Sequence, residues 1–353
     1  MPARRTKQRV SDLPLAGRVA VVAGATRGAG RGIARALGEA GALVYCTGRS
    51  VPGNPSPYKR PETIGETAEM ITAAGGAARA VRVDHTVEAE VEALFARVHA
   101  EAKRLDIVVN SIAGEDPMMK QWGNFWDADL KNADTVLRQA LVSHVITAKH
   151  AARRMIRARR GLIVEVTEND VLGAGGNPIA QTVKLALKGM ALNMAAELKS
   201  RGVAAVAITP GFLRSEKMLE NFGVTEEHWR DGAKKDKNFL ESETPLYVGR
   251  AVAALAADPN VLARSGQLWS SWELARHYGF TDVDGRRPDW GALSPDLSGL
   301  PAWLVELLDT GFHMQLEWLT ALAGRTERYI ANWKMPPRKR VKKTAASRGR
   351  ARR

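Results

Sequence analysis

The chain has 353 residues, of which 45% are hydrophobic and 25% charged, enough apolar material for a large core in a globular protein. Its single cysteine, Cys46, excludes a disulfide framework or a cysteine-built zinc site within one chain, and no apolar run reaches the ~18 residues of a transmembrane helix. The net charge of +14 is concentrated at the ends: residues 1–10 carry four Arg or Lys and residues 335–353 carry nine, neither with an acid, so the body between them is nearly neutral.

The basic arm, residues 1–14, is not followed by the apolar segment of a secretory signal, which leaves a cytoplasmic expectation. Arg18–Ala23 is β-branched and apolar and reads as a first strand, followed by a glycine cluster. Arg31–Glu39 has helical spacing and stops at Gly41. A second buried strand is expected over Ala42–Cys46. A Pro/Gly/Ser loop, Val51–Pro61, then leads to a helix over Glu62–Ala74. Ala78–Val83 is a third strand, Thr86–Lys103 a helix and Leu105–Asn110 a fourth strand. A helix over Ala133–Arg157 precedes the fifth strand, Leu162–Val166. Then come a helix over Val183–Arg201, a strand over Val203–Thr209, a helix over Leu246–Ala257 and a short seventh strand, Gln267–Ser270.

Strands that are apolar throughout are buried on both faces, the mark of a parallel sheet covered by helices. The β-α-β repetition predicts an α/β, doubly wound sheet of about seven strands with right-handed crossovers. It occupies residues 15–285. Residues 286–334 read as a helical C-terminal extension carrying Trp290, Trp303, Trp318 and Trp333. Residues 335–353 read as a basic disordered tail, a solubility device or a non-specific contact for nucleic acid or anionic surfaces.

Gly24, Ala25, Thr26, Arg27, Gly28, Ala29 and Gly30 join the first strand to the first helix. Glycines there permit the tight turn and let backbone N–H groups reach a pyrophosphate at the positive helix end. An NAD-binding chain of this architecture places an acid after the second strand. This chain has Arg49 there and Arg27 inside the glycine turn, which suits a ribose 2′-phosphate and favours NADP(H) over NAD(H). His85, His150 and His277 lack metal-ligand spacing, so no metal is expected.

With these residues in view, the chain resembles the short-chain dehydrogenase/reductase family over residues 16–285. The glycine signature is present, with Ala23 at its first position. Asp84, in the run Val83-Asp84-His85, matches the family's adenine-contacting acid. The run from Asn110 to Gly114 loosely matches its fourth-strand motif. Pro210 and Gly211 lead to Ser215, which takes the place of the Thr at the nicotinamide carboxamide. The stretch from Leu274 to Gly285 resembles a subgroup with a C-terminal extension. The resemblance implies a Rossmann-type fold and an oxidoreductase acting on a small carbonyl or alcohol substrate, in a homo-oligomer. It also implies that the cofactor contacts Gly24, Thr26, Arg27, Gly28, Gly30, Arg49, Asp84, His85, Asn110, Lys184, Pro210, Gly211 and Ser215.

The catalytic positions depart from the family. Lys184, in Lys184-Leu185-Ala186-Leu187-Lys188-Gly189, is the family lysine. Four residues earlier, where the family has its proton-donating Tyr, stands Ala180. The Ser slot reads Glu168, preceded by Thr167, and the Asn position falls near Ala140. A positioned general acid contributes ~10²–10⁴-fold to rate, so the donor's task passes to Glu168 or to His144, one turn after Ala140. The alternatives are a strand-end carboxylate paired with Lys184, a helix-face histidine without a role, and a Thr167 that only bonds locally. Residues 212–243, with Met218, Phe222, Trp229 and Phe239, are expected to form a substrate lid whose apolar side chains meet substrate or serve packing. Three readings follow: a reductase with an altered proton donor, an NADP-binding protein that has lost turnover, and a nucleic-acid or membrane-surface protein working through its basic tails, the last resting on tail charge alone and opposed by the near-neutral body.

Overall fold

The computed structural model describes residues 12–55, 60–113, 125–127, 130–168 and 178–293. Seven parallel strands form one sheet in the order β3-β2-β1-β4-β5-β6-β7. They are β1 (Val19–Ala23), β2 (Leu43–Gly48), β3 (Ala77–Arg82), β4 (Ile107–Asn110), β5 (Gly161–Val166), β6 (Val203–Thr209) and β7 (Leu268–Ser270). Every residue of β1 and β6 is buried, as expected of central parallel strands covered on both faces. β3 lies at one edge and exposes Arg79 and Arg82, charges that discourage pairing with another chain.

Helices cover both faces. On one face lie α1 (Gly28–Glu39) and, from later in the chain, α8 (Pro245–Ala257), packed with Val22, Val44, Val109 and Val206. These two helices meet backbone to backbone, because a Cβ at Gly32 would stand 1.9 Å from Pro245 O and one at Gly249 2.4 Å from Gly32 O. α2 (Ile64–Ala73) also packs on this face through Ile64 and Ile71. On the other face, α3 (Glu88–Ala102) packs Val91, Leu94, Phe95 and Val98 against Val21, Val108 and Ile163.

Several boundaries differ from the sequence expectation, among them the helix expected over Val183–Arg201, which runs from Pro178 to Leu198, and two of the differences have local causes. α2 starts at Ile64 rather than Glu62 because Thr63 caps it, its hydroxyl accepting from Glu66 N while the Glu66 carboxylate accepts from Thr63 N. α3 starts at Glu88 rather than Thr86, since Thr86 N and Oγ1 both donate to Asp84 Oδ1. The helix expected over Ala133–Arg157 is α4 (Leu130–Leu137), a π-helical turn over Arg138–Val142, and α5 (Ser143–Ala158). Such turns often mark functional sites.

The remaining helices are α6 (Pro178–Leu198), α7 (Glu216–Phe222) and α9 (Ser271–Tyr278). Packing continues past residue 285: Tyr247 OH donates to Pro288 O, and Trp290 sits edge-on to Phe212 with ring centroids 5.3 Å apart. The expected extension beyond residue 293, residues 1–11 of the basic arm and the C-terminal basic tail lie outside the described residues. Among the described residues no helix is long and apolar enough to cross a membrane.

The chain runs outward from β1 through β2 to β3, then returns to place β4 on the other side of β1. That reversal opens a crevice beyond the carboxyl ends of β1 and β4, where ligands bind in open α/β sheets.

Candidate cofactor cleft and catalytic corner

A cleft lies at this reversal. Gly24, Thr26 and Arg27 form one wall, Gly48, Arg49 and Ser50 a second, Val83 to Thr86 a third, and Ser111 to Ala113 with Gln139 a fourth. The first glycine is demanded by geometry. Gly24 has φ +84°, and a Cβ there would stand 2.3 Å from Ser111 O. Gly24 N and Ala25 N both donate to Thr47 O, which ties the turn to β2.

The two arginines expected at the ribose line this cleft. Arg49 reaches Gln139 Oε1 at 3.4 Å and stands 3.9 Å from Asp84 Oδ2. Burial pushes the Asp84 carboxyl up, but the Thr86 hydrogen bonds and the nearby Arg49 and Arg82 outweigh it and hold it below the usual range. His85 is buried between Thr47 Oγ1 and Thr147 Oγ1, each at 2.8 Å. Its pKa is pulled down to about 3, chiefly by burial and then by the neighbouring His144, so it stays neutral through the physiological range.

α7 closes over the start of α1. Gly28 N donates to Glu216 Oε2 at 2.8 Å and Arg31 pairs with Glu216 Oε1 at 3.3 Å. One turn on, Glu220 receives two bonds from the buried Arg60, at 2.6 and 2.7 Å. Neither glutamate was singled out by sequence. The available signal was their i, i+4 spacing behind Ser215, whose side chain caps α7 by accepting from Met218 N. Ser215 Cβ is 3.6 Å from where a Cβ on Gly28 would lie, so the two expected cofactor positions are brought together. Gly211, after Pro210, donates its N–H to Glu243 Oε2 at 2.9 Å.

Asn110, expected among the cofactor contacts, turns inward instead. Its Nδ2 donates to Glu165 Oε1 at 2.8 Å and to His144 O at 3.3 Å, and the side chain is fully buried. His144 is equally buried: Nδ1 meets Glu165 Oε2 at 2.6 Å and Nε2 meets Ile112 O at 2.9 Å. Both ring nitrogens are engaged in the interior, so His144 does not reach a substrate as proton donor. Glu165 escaped the sequence reading because it sits inside an otherwise apolar strand. A lone acid there was the signal, since a buried charge needs a partner.

At the catalytic corner, Lys184 is buried on α6, and its Nζ stands 3.3 Å from Oε1 of Glu168, whose side chain is 65% exposed. Thr167 is buried and its Oγ1 donates to Lys184 O at 2.9 Å. That hydroxyl fastens the end of β5 to α6 and has no proton to offer a substrate. Ala180, one turn before Lys184, is buried and presents only a methyl group. Ala140 is buried within the π-helical turn.

The aromatic residues of segment 212–243 serve packing. Phe222 and Phe239 stack with centroids 4.1 Å apart, Phe212 meets both edge-on, and Trp229 packs against Phe239. Beneath them Arg214 is fully buried, bonded to Glu226 and Ser242 and lying 4.0 Å over the Trp229 ring. Among the described residues no cluster of three His, Cys, Asp or Glu side chains is arranged to hold a metal.

A Rossmann-type sheet with a glycine turn at its switch point, and a lysine on the helix after β5, defines a nucleotide-binding oxidoreductase framework. The short chain dehydrogenase profile matches residues 18–226, and the chain belongs to that family. It is 36% identical over 317 residues to dehydrogenase/reductase SDR family member 1 of Mus musculus, covering 88% of this chain and 97% of that one. A 3-oxoacyl-(acyl-carrier-protein) reductase of Aquifex aeolicus is 29% identical over 58% of this chain and 77% of its own. Among solved structures, a variant of the actinorhodin polyketide ketoreductase superposes with a TM-score of 0.59 at 22% identity, covering 72% of this chain and 95% of that one.

Proposed function

We propose that the protein is an NADP(H)-dependent oxidoreductase that interconverts a carbonyl and an alcohol in a small molecule. The observation that carries this reading is the convergence of the Gly24 turn, Arg27 and Arg49 on one cleft. The residues fit the cofactor: the positive φ and close backbone approach at Gly24 leave the wall open to a dinucleotide, and two guanidiniums match a 2′-phosphate. When bound, the nicotinamide supplies or takes up hydride. Asp84 suits the adenine side, and Ser215, beside Gly28, suits the carboxamide. Lys184 suits the ribose and, with Glu168, forms the charged pair that handles the proton in place of the family's Tyr. Exposed Val142, Val145 and Leu192 support a homo-oligomer.

Ala180 and the tied hydroxyl of Thr167 favour a second reading, a cofactor-binding protein without turnover. Titration of the full chain with NADPH and NADH, followed by assays on a panel of carbonyls and alcohols, separates the two. Tighter NADPH with measurable turnover supports the first, NADPH binding without turnover supports the second, and no binding of either nucleotide overturns both.

A further inference from the structure

We propose that His144 and Glu165 are a positioning pair for the cofactor cleft, holding the loop 111–113 through the carbonyl of Ile112; this rests on the cofactor reading above.

The pair lies behind the cleft and does not line it. Both side chains are completely buried, on α5 and β5, and meet at 2.6 Å. A carbonyl oxygen only accepts, so the 2.9 Å contact with Ile112 O fixes Nε2 of His144 as an N–H donor. A single proton then lies between Nδ1 and Glu165 Oε2. The other carboxylate oxygen accepts from Asn110 Nδ2, whose second contact is the carbonyl of His144 itself. The three side chains thereby link the ends of β4 and β5 and the start of α5 to one backbone carbonyl of the loop.

That loop is the wall facing the glycine turn. Ser111 N donates to Ala23 O at 2.9 Å, and a Cβ on Gly24 would stand 2.3 Å from Ser111 O and 3.0 Å from Ile112 Cα. There is no slack between loop and turn, so a loop that drifts after losing its tether intrudes on the space where the dinucleotide lies. A buried histidine–carboxylate pair is an expensive way to hold a sheet together, and such pairs are often replaceable by apolar residues without loss of stability. A role in holding one loop in place accounts for its retention.

The test uses the full chain. NADPH affinity is measured by fluorescence titration and stability by thermal melting, for wild type, His144→Phe, Glu165→Gln and the double variant H144F/E165L. Glu165→Gln preserves the network in neutral form, with the amide donating to Nδ1 and its oxygen accepting from Asn110, and is expected to bind NADPH within about two-fold of wild type. H144F/E165L leaves no buried charge unpaired, so it folds even where His144→Phe alone does not. It is expected to melt near the wild type yet bind NADPH about ten-fold more weakly, the loss of one charge-assisted bond's positioning. A slowly exchanging imidazole Nε2–H signal is expected in the nitrogen-15 spectrum of wild type and is expected to shift when NADPH is added. Wild-type NADPH affinity in the double variant, or a wild-type spectrum without that signal, overturns the inference while leaving the cofactor reading intact. Failure of the wild type to bind either nucleotide overturns both.

Discussion

Nζ of Lys184 stands 3.3 Å from Oε1 of Glu168, at the corner where the family resemblance places a Tyr and a Ser beside the lysine. One turn before Lys184 on α6 stands Ala180, buried and presenting only a methyl group. On the proposed function, the charged pair stands in for that hydroxyl constellation. The chemistry of the site turns on what this pair does with a proton.

The cofactor preference is testable at Arg49, which lines the cleft with Asp84 3.9 Å away. Arg49→Ala removes a guanidinium suited to the 2′-phosphate. NADPH binding is expected to weaken by ~1.5–3 kcal/mol, the range of a charge-assisted hydrogen bond, while NADH binding changes little. Fluorescence titration with both nucleotides checks this, and equal losses for the two contradict it.

Gly24→Ala combines two penalties. Its φ of +84° disfavours any Cβ, and the new methyl would lie 2.3 Å from Ser111 O. The left-handed conformation costs ~1–2 kcal/mol and overpacking typically ~1–3 kcal/mol more. The melting temperature and the affinity for NADPH are both expected to fall. A melting curve superimposable on wild type would contradict the geometry.

Glu243 makes stability depend on pH. It is fully buried, its Oε2 accepts from Gly211 N and Ser271 Oγ, and its Oε1 has no hydrogen-bond partner among the described residues. Burial, with Asp282 adding to it, pushes its pKa up to about 8 from 4.5, against the hydrogen bonds and Arg214. A folded pKa above the unfolded one gives stability that is complete below the unfolded value of 4.5 and lost as pH rises through about 8. Glu243→Gln removes that proton linkage. The variant is expected to lose less stability than wild type between about pH 5 and about pH 9, by up to a few kcal/mol, in chemical denaturation.

Thr167→Val breaks the tie from β5 to α6, leaving Lys184 O without the hydroxyl it accepts from. Destabilisation of ~1–3 kcal/mol is expected, the range for a buried acceptor left unsatisfied. A neutral effect would place the hydroxyl outside the framework that holds Lys184.

Much of this was legible in the sequence, and the reasons differ by residue. The strands announced themselves because Val203–Thr209 and its neighbours are buried on both faces and carry no alternation to confuse. Gly24 was legible because a strand-turn-helix junction leaves few alternatives to glycine. His144 was singled out for the right chemistry in the wrong place: helical spacing gave its face but not Glu165, twenty-one positions later in sequence and 2.6 Å away in space. Asn110 carried the opposite error, since a position on a strand end does not say which way its amide turns. The lid phenylalanines left substrate and packing open, and only the stacking of Phe222 on Phe239 decides for packing.

The central claim is that a cofactor-competent cleft still transfers hydride with Lys184 and Glu168 in place of the missing acid. The direct measurement is NADPH oxidation, followed by loss of nicotinamide absorbance, with a panel of carbonyl substrates for wild type, Glu168→Gln and Ala180→Tyr. Weak wild-type turnover, a loss of ~10²-fold in kcat for Glu168→Gln and a gain for Ala180→Tyr are the expected results. Wild type and Ala180→Tyr both inert across the panel, while NADPH still binds, would contradict the claim and leave the protein as a binder of the cofactor alone.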